Sequence, residues 1–289
     1  TGTIDDPSAL NGLMLRPTAA VTESGTNEYT IRYADGWDAF CDRLAADDGK
    51  TFFTGKKVKL AADITVSRMA GSDHHDFCGT FDGGGHTLTF NYNTDTDDAA
   101  PFRYVESGCV IENLRVCGTI ETSAKYAAGL VAHQYGNVTI RNCRSSVTIK
   151  SSFSSGNGDG THGGFVAENC KDGDITFEGC LFDGKLLTTG STATTRCGGF
   201  VGWRSNNTEA VIKVKNSLYA PASPTGNETW ISTTESATFV RNGIASDITN
   251  SYYTRDFNNG SSFTGQGKQR RTIAAGEGVN LGHDGAATE

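Results

Sequence analysis

Apolar residues in the middle of this chain come in short bursts at period two, separated by Gly, Asn, Ser and Asp. Val138, Ile140, Val147 and Ile149 form one set, and Ile175, Phe177 and Leu181 another. β-Branched and aromatic residues alternating in this way predict half-buried strands. The bursts themselves recur. Gly129-Leu130-Val131-Ala132, Gly164-Phe165-Val166-Ala167 and Gly199-Phe200-Val201-Gly202 are variants of one phrase, spaced 35 residues apart. Each is followed by a second phrase: Ile140-Arg141-Asn142-Cys143, Phe177-Glu178-Gly179-Cys180 and Val214-Lys215-Asn216-Ser217. Looser copies flank them, with Phe102 and Ile111-Glu112-Asn113-Leu114 before, and Phe239-Val240 and Ile248-Thr249-Asn250-Ser251 after. A fixed period in this range is the signature of a solenoid.

No unit carries an apolar set at i, i+3, i+4 and i+7, which excludes helical repeats. Strands stacked on their own copies in the next coil are parallel and about 4.8 Å apart, with like residues above like. Asn113, Asn142, Gly179, Asn216 and Asn250 then fall in one column. A sharp corner explains it, because Gly and Asn enter the left-handed backbone region cheaply. The pattern predicts an all-β fold, a single-stranded right-handed parallel β-helix. One stretch has the helical period: Trp37, Phe40, Cys41 and Leu44, with Asp35 as the expected N-cap. We expect this helix to cover the open apolar end of the first coil. Tyr29, Ile31 and Tyr33 alternate as a strand, and Val58, Leu60 and Ile64 read as the first coil strand. The expected division is 1–56 for the N-terminal strand and capping helix, 57–260 for the β-helix, and 261–289 for a C-terminal linker or cap, Gly265–Gly267 and Gly276–Gly278 reading as linker.

The two phrases together resemble the GLUG-type repeats of large bacterial surface and secreted proteins, some attached to IgA-cleaving peptidases. The run from Phe77 to Leu88 is similar to the segment that leads into such repeats. The resemblance spans roughly Gly36 to Tyr253. It implies a β-helix on a secreted or cell-surface bacterial protein, and it carries no catalytic set.

Composition narrows the function classes. Hydrophobic residues make up 36% of the chain and glycines number 36, which suits a thin core wrapped by many turns. The net charge is −8, and the basic residues do not cluster beyond the run from Lys268 to Arg271, which argues against nucleic acid. No apolar run is long enough to span a bilayer. The chain starts at Thr1 without a signal segment, so we expect a monomeric piece of a longer protein. Eight cysteines occur without a C-x-x-C pair, which disfavours a zinc ribbon or a thioredoxin-type site. Cys143 and Cys180 hold equivalent places in neighbouring coils, as a disulfide or metal pair or, in the ordinary reading, as buried thiols. Asp73-His74-His75-Asp76 has metal-ligand types but reads as a solvated loop, and the glycines from Gly83 to Gly85 read as a coil corner. No cofactor, metal or catalytic residue is assigned.

The functional expectation comes from the insertions at Thr122–Tyr126, Ser151–His162, Thr188–Arg196 and Pro221–Glu235, which share one place in the repeat. Equivalent insertions emerge on one side of a solenoid, often the binding side. If the apolar residues of the G-[LF]-V strand point in, two outward columns lie nearby: His133, Glu168 and Trp203, and Gln134, Asn169 and Arg204. Tyr135 and Trp230 extend the patch. Aromatics flanked by amides, a carboxylate and an arginine suit sugar rings and hydroxyls, so the expected partner is an extracellular glycan or host-surface component. The alternatives are a polysaccharide lyase or glycoside hydrolase, for which His133, Glu168 and Arg204 are the one suitable trio, and a structural spacer.

Overall fold

The computed structural model describes residues 21–23, 27–46, 49–95, 98–153, 160–170, 173–189, 195–205, 209–231, 236–241, 246–255 and 266–269. The chain winds as a parallel β-helix with four sheet faces. One coil shows the pattern: Val138–Arg141, a corner at Asn142, Arg144–Ser151, Gly160–Gly163, then Val166–Asn169. Each strand pairs with its counterpart in the next coil, so that Thr139 faces Val110 on one side and Thr176 on the other. The first face stacks nine strands, the second eleven, the third three and the fourth four. Among the described strands two pairings are antiparallel: Val21–Glu23 with Glu28–Ile31, and Lys185–Thr188 with Thr229–Trp230.

The wall positions fill the interior with like on like. The backbone N–H of Leu130 donates to Phe165 O at 3.1 Å, and that of Phe165 to Phe200 O at 3.1 Å. The rings of Phe165 and Phe200 lie 4.8 Å apart, and those of Phe200 and Phe239 5.0 Å. Each buried phenylalanine contributes about 1.5–3 kcal/mol through removal of apolar surface from water.

The first corner turns as the sequence predicts. Asn113, Asn142, Asn216 and Asn250 adopt φ of 53°, 51°, 50° and 46°, and Gly179 adopts 62°. Stacking places their amides in reach of one another, Asn250 Nδ2 donating to Asn216 Oδ1 at 2.6 Å. In four of these five coils the next residue turns inward and caps a carbonyl, as where Ser217 donates to Lys215 O at 2.7 Å and Cys143 to Arg141 O at 3.2 Å. Cys143 and Cys180 are therefore buried thiols at a capping position, and all eight cysteines are free. Burial pushes the Cys180 thiol up to about 12.

At the N-terminal end, the helix Ala34–Ala45 buries Trp37, Phe40, Cys41 and Leu44. Trp37 meets Phe81 and Phe102 edge-on, and Phe40 meets Phe77, so the apolar end of the first coils is covered by aromatic rings. Two expectations are corrected here. The N-cap is Tyr33, in extended conformation and without a side-chain cap bond, while Asp35 lies inside the first turn, where its charge favours the helix dipole. The ladder also begins earlier than expected. Glu28–Ile31 already pairs in parallel with Lys57–Leu60, and Ile64 belongs to a separate strand, Ile64–Val66, in another sheet.

The ladder continues to Lys268–Gln269, which pairs with Tyr252–Tyr253. Gln266 closes the rung of Phe239: its Oε1 accepts from the N–H groups of Phe239 and Val240, and its Nε2 donates to Val240 O. Within the segment expected as linker or cap, 268–269 is thus a strand and Gln266 a side-chain cap, and Gly276–Gly278 falls outside the described residues. Among the described residues no helix is long and apolar enough to cross a membrane.

Candidate functional site

The third and fourth faces meet at a tight seam. Only small residues fit there: a Cβ on Gly163 would sit 1.8 Å from Val166 O, and one on Gly202 2.6 Å from His162 O. Ala100, Ala128, Ala132 and Ala167 form a small apolar patch separate from the main core, and Tyr126 packs against it. Along the fourth face the register sets His133 between Tyr104 and Glu168, and Glu168 beside Trp203. These residues line the outer wall of the seam.

His133 is the centre of this wall and is only 5% exposed. Its ring stacks on Tyr104 at 4.8 Å and meets Tyr126 edge-on at 4.7 Å. Nε2 donates to Asp98 Oδ2 at 2.9 Å. On the other side of the ring, Nδ1 lies 3.3 Å from Cys170 Sγ and 3.4 Å from Glu168 Oε2. The Cys170 thiol in turn lies 3.5 Å from Glu168 Oε2. Strand alternation explains the grouping, because Glu168 and Cys170 are two residues apart and share a face. Burial would depress the imidazole, yet Asp98, Cys170 and Glu168 together outweigh it and raise His133 to about 12. Cys170 is pushed up by burial, with Glu168 adding to the shift against the His133 contact. Tyr126 is raised by burial and by Glu168.

The strip continues on both sides. The Tyr135 ring lies parallel to that of Tyr104 at 6.3 Å, and beyond it a hollow is lined by Asp73, His74, Asp76 and Glu106. At the other end the Arg241 guanidinium lies 4.7 Å above the Trp203 ring.

Of the residues expected at the site, His133, Tyr135, Glu168 and Trp203 lie on this wall. Gln134, Asn169 and Arg204 do not, which corrects the second outward column. All three are buried, and they feed donors to carbonyls of the turn between the fourth and first faces. Arg204 Nε donates to Ala210 O at 2.9 Å, Asn169 Nδ2 to Gly173 O at 3.3 Å and to Gln134 Oε1, and Gln134 Nε2 to Gly136 O. Unpaired buried carbonyls are costly, so the polar column is needed inside. Trp230 is also elsewhere: it sits on the strand beside Lys185–Thr188 on the second face, under the Arg255 guanidinium at 4.5 Å. The insertions 151–162, 188–196 and 221–235 lie partly outside the described residues.

Asp98, Tyr104, Tyr126 and Cys170 were missed by sequence reasoning. The signal for Cys170 was present as Glu168-x-Cys170 at strand alternation, one repeat after an outward His133. Nothing in the sequence pointed to Asp98, which reaches the ring from a connecting segment. Chemically, the trio Cys170, His133 and Asp98 has the ingredients of an activated thiol, but the Glu168 carboxylate beside Sγ disfavours the thiolate. Glycoside hydrolysis by paired carboxylates is also disfavoured, since Asp98 and Glu168 address opposite nitrogens of a single imidazole.

No protein-family model matches the sequence, and no curated protein matches it. A solved structure from Bacteroides ovatus, described as a putative immunoglobulin A1 protease, is similar with a TM-score of 0.52 at 16% identity, over 86% of this chain and 85% of that one. At that identity the likeness concerns the fold.

Proposed function

We propose that this chain is a non-catalytic, glycan-binding β-helix module of a secreted or cell-surface bacterial protein of the GLUG-repeat type. The observation that carries the reading is the outer strip of the fourth face and its border with the third, where Tyr104, Tyr126, Tyr135 and Trp203 are interleaved with Asp98 and Glu168. Half-buried aromatic rings supply stacking area at low entropic cost, and carboxylates accept from sugar hydroxyls. A parallel β-helix also presents such a strip as an extended, rigid wall suited to a linear chain. The acids along the wall and in the adjoining hollow repel uronates and sulfates, so the partner is a neutral glycan. The neighbour's description as a protease is not carried over, because fold alone does not transmit an activity.

The test is a neutral-glycan array followed by calorimetric titration. Binding that falls at least tenfold in Trp203→Ala and in Tyr135→Ala, and stays unchanged in Trp230→Ala, supports the reading. Failure to bind any neutral glycan, or binding that survives both substitutions, sinks it.

A further inference from the structure

We propose that His133 Nδ1, Glu168 Oε2 and Cys170 Sγ form a three-ligand site for a zinc-class divalent cation, with the fourth coordination position open. The three ligand atoms form a nearly regular triangle, with edges of 3.3 Å between nitrogen and sulfur, 3.4 Å between nitrogen and oxygen, and 3.5 Å between sulfur and oxygen. Zinc bonds of about 2.0–2.1 Å to nitrogen, 2.3 Å to sulfur and 2.0–2.2 Å to oxygen, set at tetrahedral angles, require edges of about 3.3–3.6 Å. The triangle therefore has the size that a tetrahedral ion demands.

The surroundings fit as well. A metal-bound histidine ordinarily donates its other nitrogen to a carboxylate, and His133 Nε2 does so to Asp98 at 2.9 Å. That bond fixes the ring with Nδ1 towards Glu168 and Cys170. Tyr104 and Tyr126 pack against the ring and limit its rotation. Among the described residues, the sole ion-pair partner of Asp98 and of Glu168 is His133. Two carboxylates and a thiol thus converge on one imidazole, a surplus of negative character that a divalent ion would neutralise. The mixed nitrogen, oxygen and sulfur set selects Zn²⁺ or Co²⁺ over the oxygen-seeking Mg²⁺ and Ca²⁺. Among the described residues, the other cysteines and histidines lack this convergence. Cys143 and Cys180 cap backbone carbonyls, and His74 is exposed and forms an ion pair with Asp73.

On binding, the ion replaces the protons shared by Nδ1 and Sγ, so uptake releases protons to solvent. The fourth position is left for water or an oxygen of a bound molecule. This inference shares Glu168 and Asp98 with the glycan reading but does not rest on it, and Trp203, which takes no part in the triangle, separates the two.

The experiment uses the full chain, stripped with a chelator and titrated with Co²⁺. The expected result is one ion per chain, with tetrahedral d–d bands and a thiolate-to-cobalt charge-transfer band, both displaced by Zn²⁺. Cys170→Ser should abolish the charge-transfer band, Glu168→Gln should weaken binding, and Asp98→Asn should weaken it by about 10–100-fold. Trp203→Ala should leave the spectrum in place even if it abolishes glycan binding. Circular dichroism identifies any variant that fails to fold, and Cys170→Ser is the mildest of them because its site is partly exposed. Absence of the charge-transfer band in the parent chain overturns the proposal, as does a band that persists in a folded Cys170→Ser.

Discussion

Two neighbouring columns on the fourth face have opposite fates. His133, Glu168 and Trp203 line the outer wall, while Gln134, Asn169 and Arg204, each one residue later, bond to the turn between the fourth and first faces. Strand alternation puts adjacent residues on opposite faces, but it does not say which of the two columns turns inward. The difference lies in what each column must satisfy. The inner one is committed to backbone carbonyls that water cannot reach, so its residues are structural whatever their charge. The outer one has no such duty. There the residue type changes at every coil, from Tyr104 to His133 to Glu168 to Trp203, and chemistry can accumulate.

That contrast can be broken or sharpened by substitution. The largest effect belongs to the apolar stack: Phe200→Ala, which removes a ring packed on Phe165 and Phe239, should cost about 3–5 kcal/mol in chemical denaturation. Next comes the inner polar column. Asn169→Ala strips Gln134 Oε1 and Gly173 O of a donor and should cost about 1–3 kcal/mol. If it costs no more than an exposed substitution, the inner column is not structural.

An interior position gives a pH test. His162 is fully buried, and burial, followed by the Arg241 charge, lowers it to about 3. A depressed histidine contributes stability that is fully present above its unfolded value, near 6.5, and is lost as pH falls towards the folded one. Between pH 6.5 and 5, stability should therefore fall by up to about 1.4 kcal/mol per unit. His162→Met should flatten that slope, and an unchanged slope would assign it to another group. The corner column predicts a smaller effect. Asn142→Ala, forced to hold φ near 51°, should lose about 1 kcal/mol, while Asn142→Gly should be close to neutral. Smallest of all, Trp203→Ala should change stability by no more than about 0.5 kcal/mol, as for a surface substitution, while removing glycan affinity.

The parallel stack was legible because its signals repeat. Asn113, Asn142, Gly179, Asn216 and Asn250 announce a left-handed corner five times, and Leu130, Phe165 and Phe200 announce one wall, so the register followed from spacing. What a single coil could not encode was decided in three dimensions. The carbonyls of Gly136, Gly173 and Ala210 follow their donors by only a few residues but lie past the strand ends, so the inward turn of Gln134, Asn169 and Arg204 appears only when the turn is closed. The convergence of Asp98, His133, Glu168 and Cys170 likewise draws on three coils, and its members become neighbours through stacking. Sequence by itself determined the fold, because repetition multiplies weak local preferences into one register. Tertiary structure alone decided the site, because side chains from separate coils meet where a tight seam leaves room only for small residues and the groups that border them.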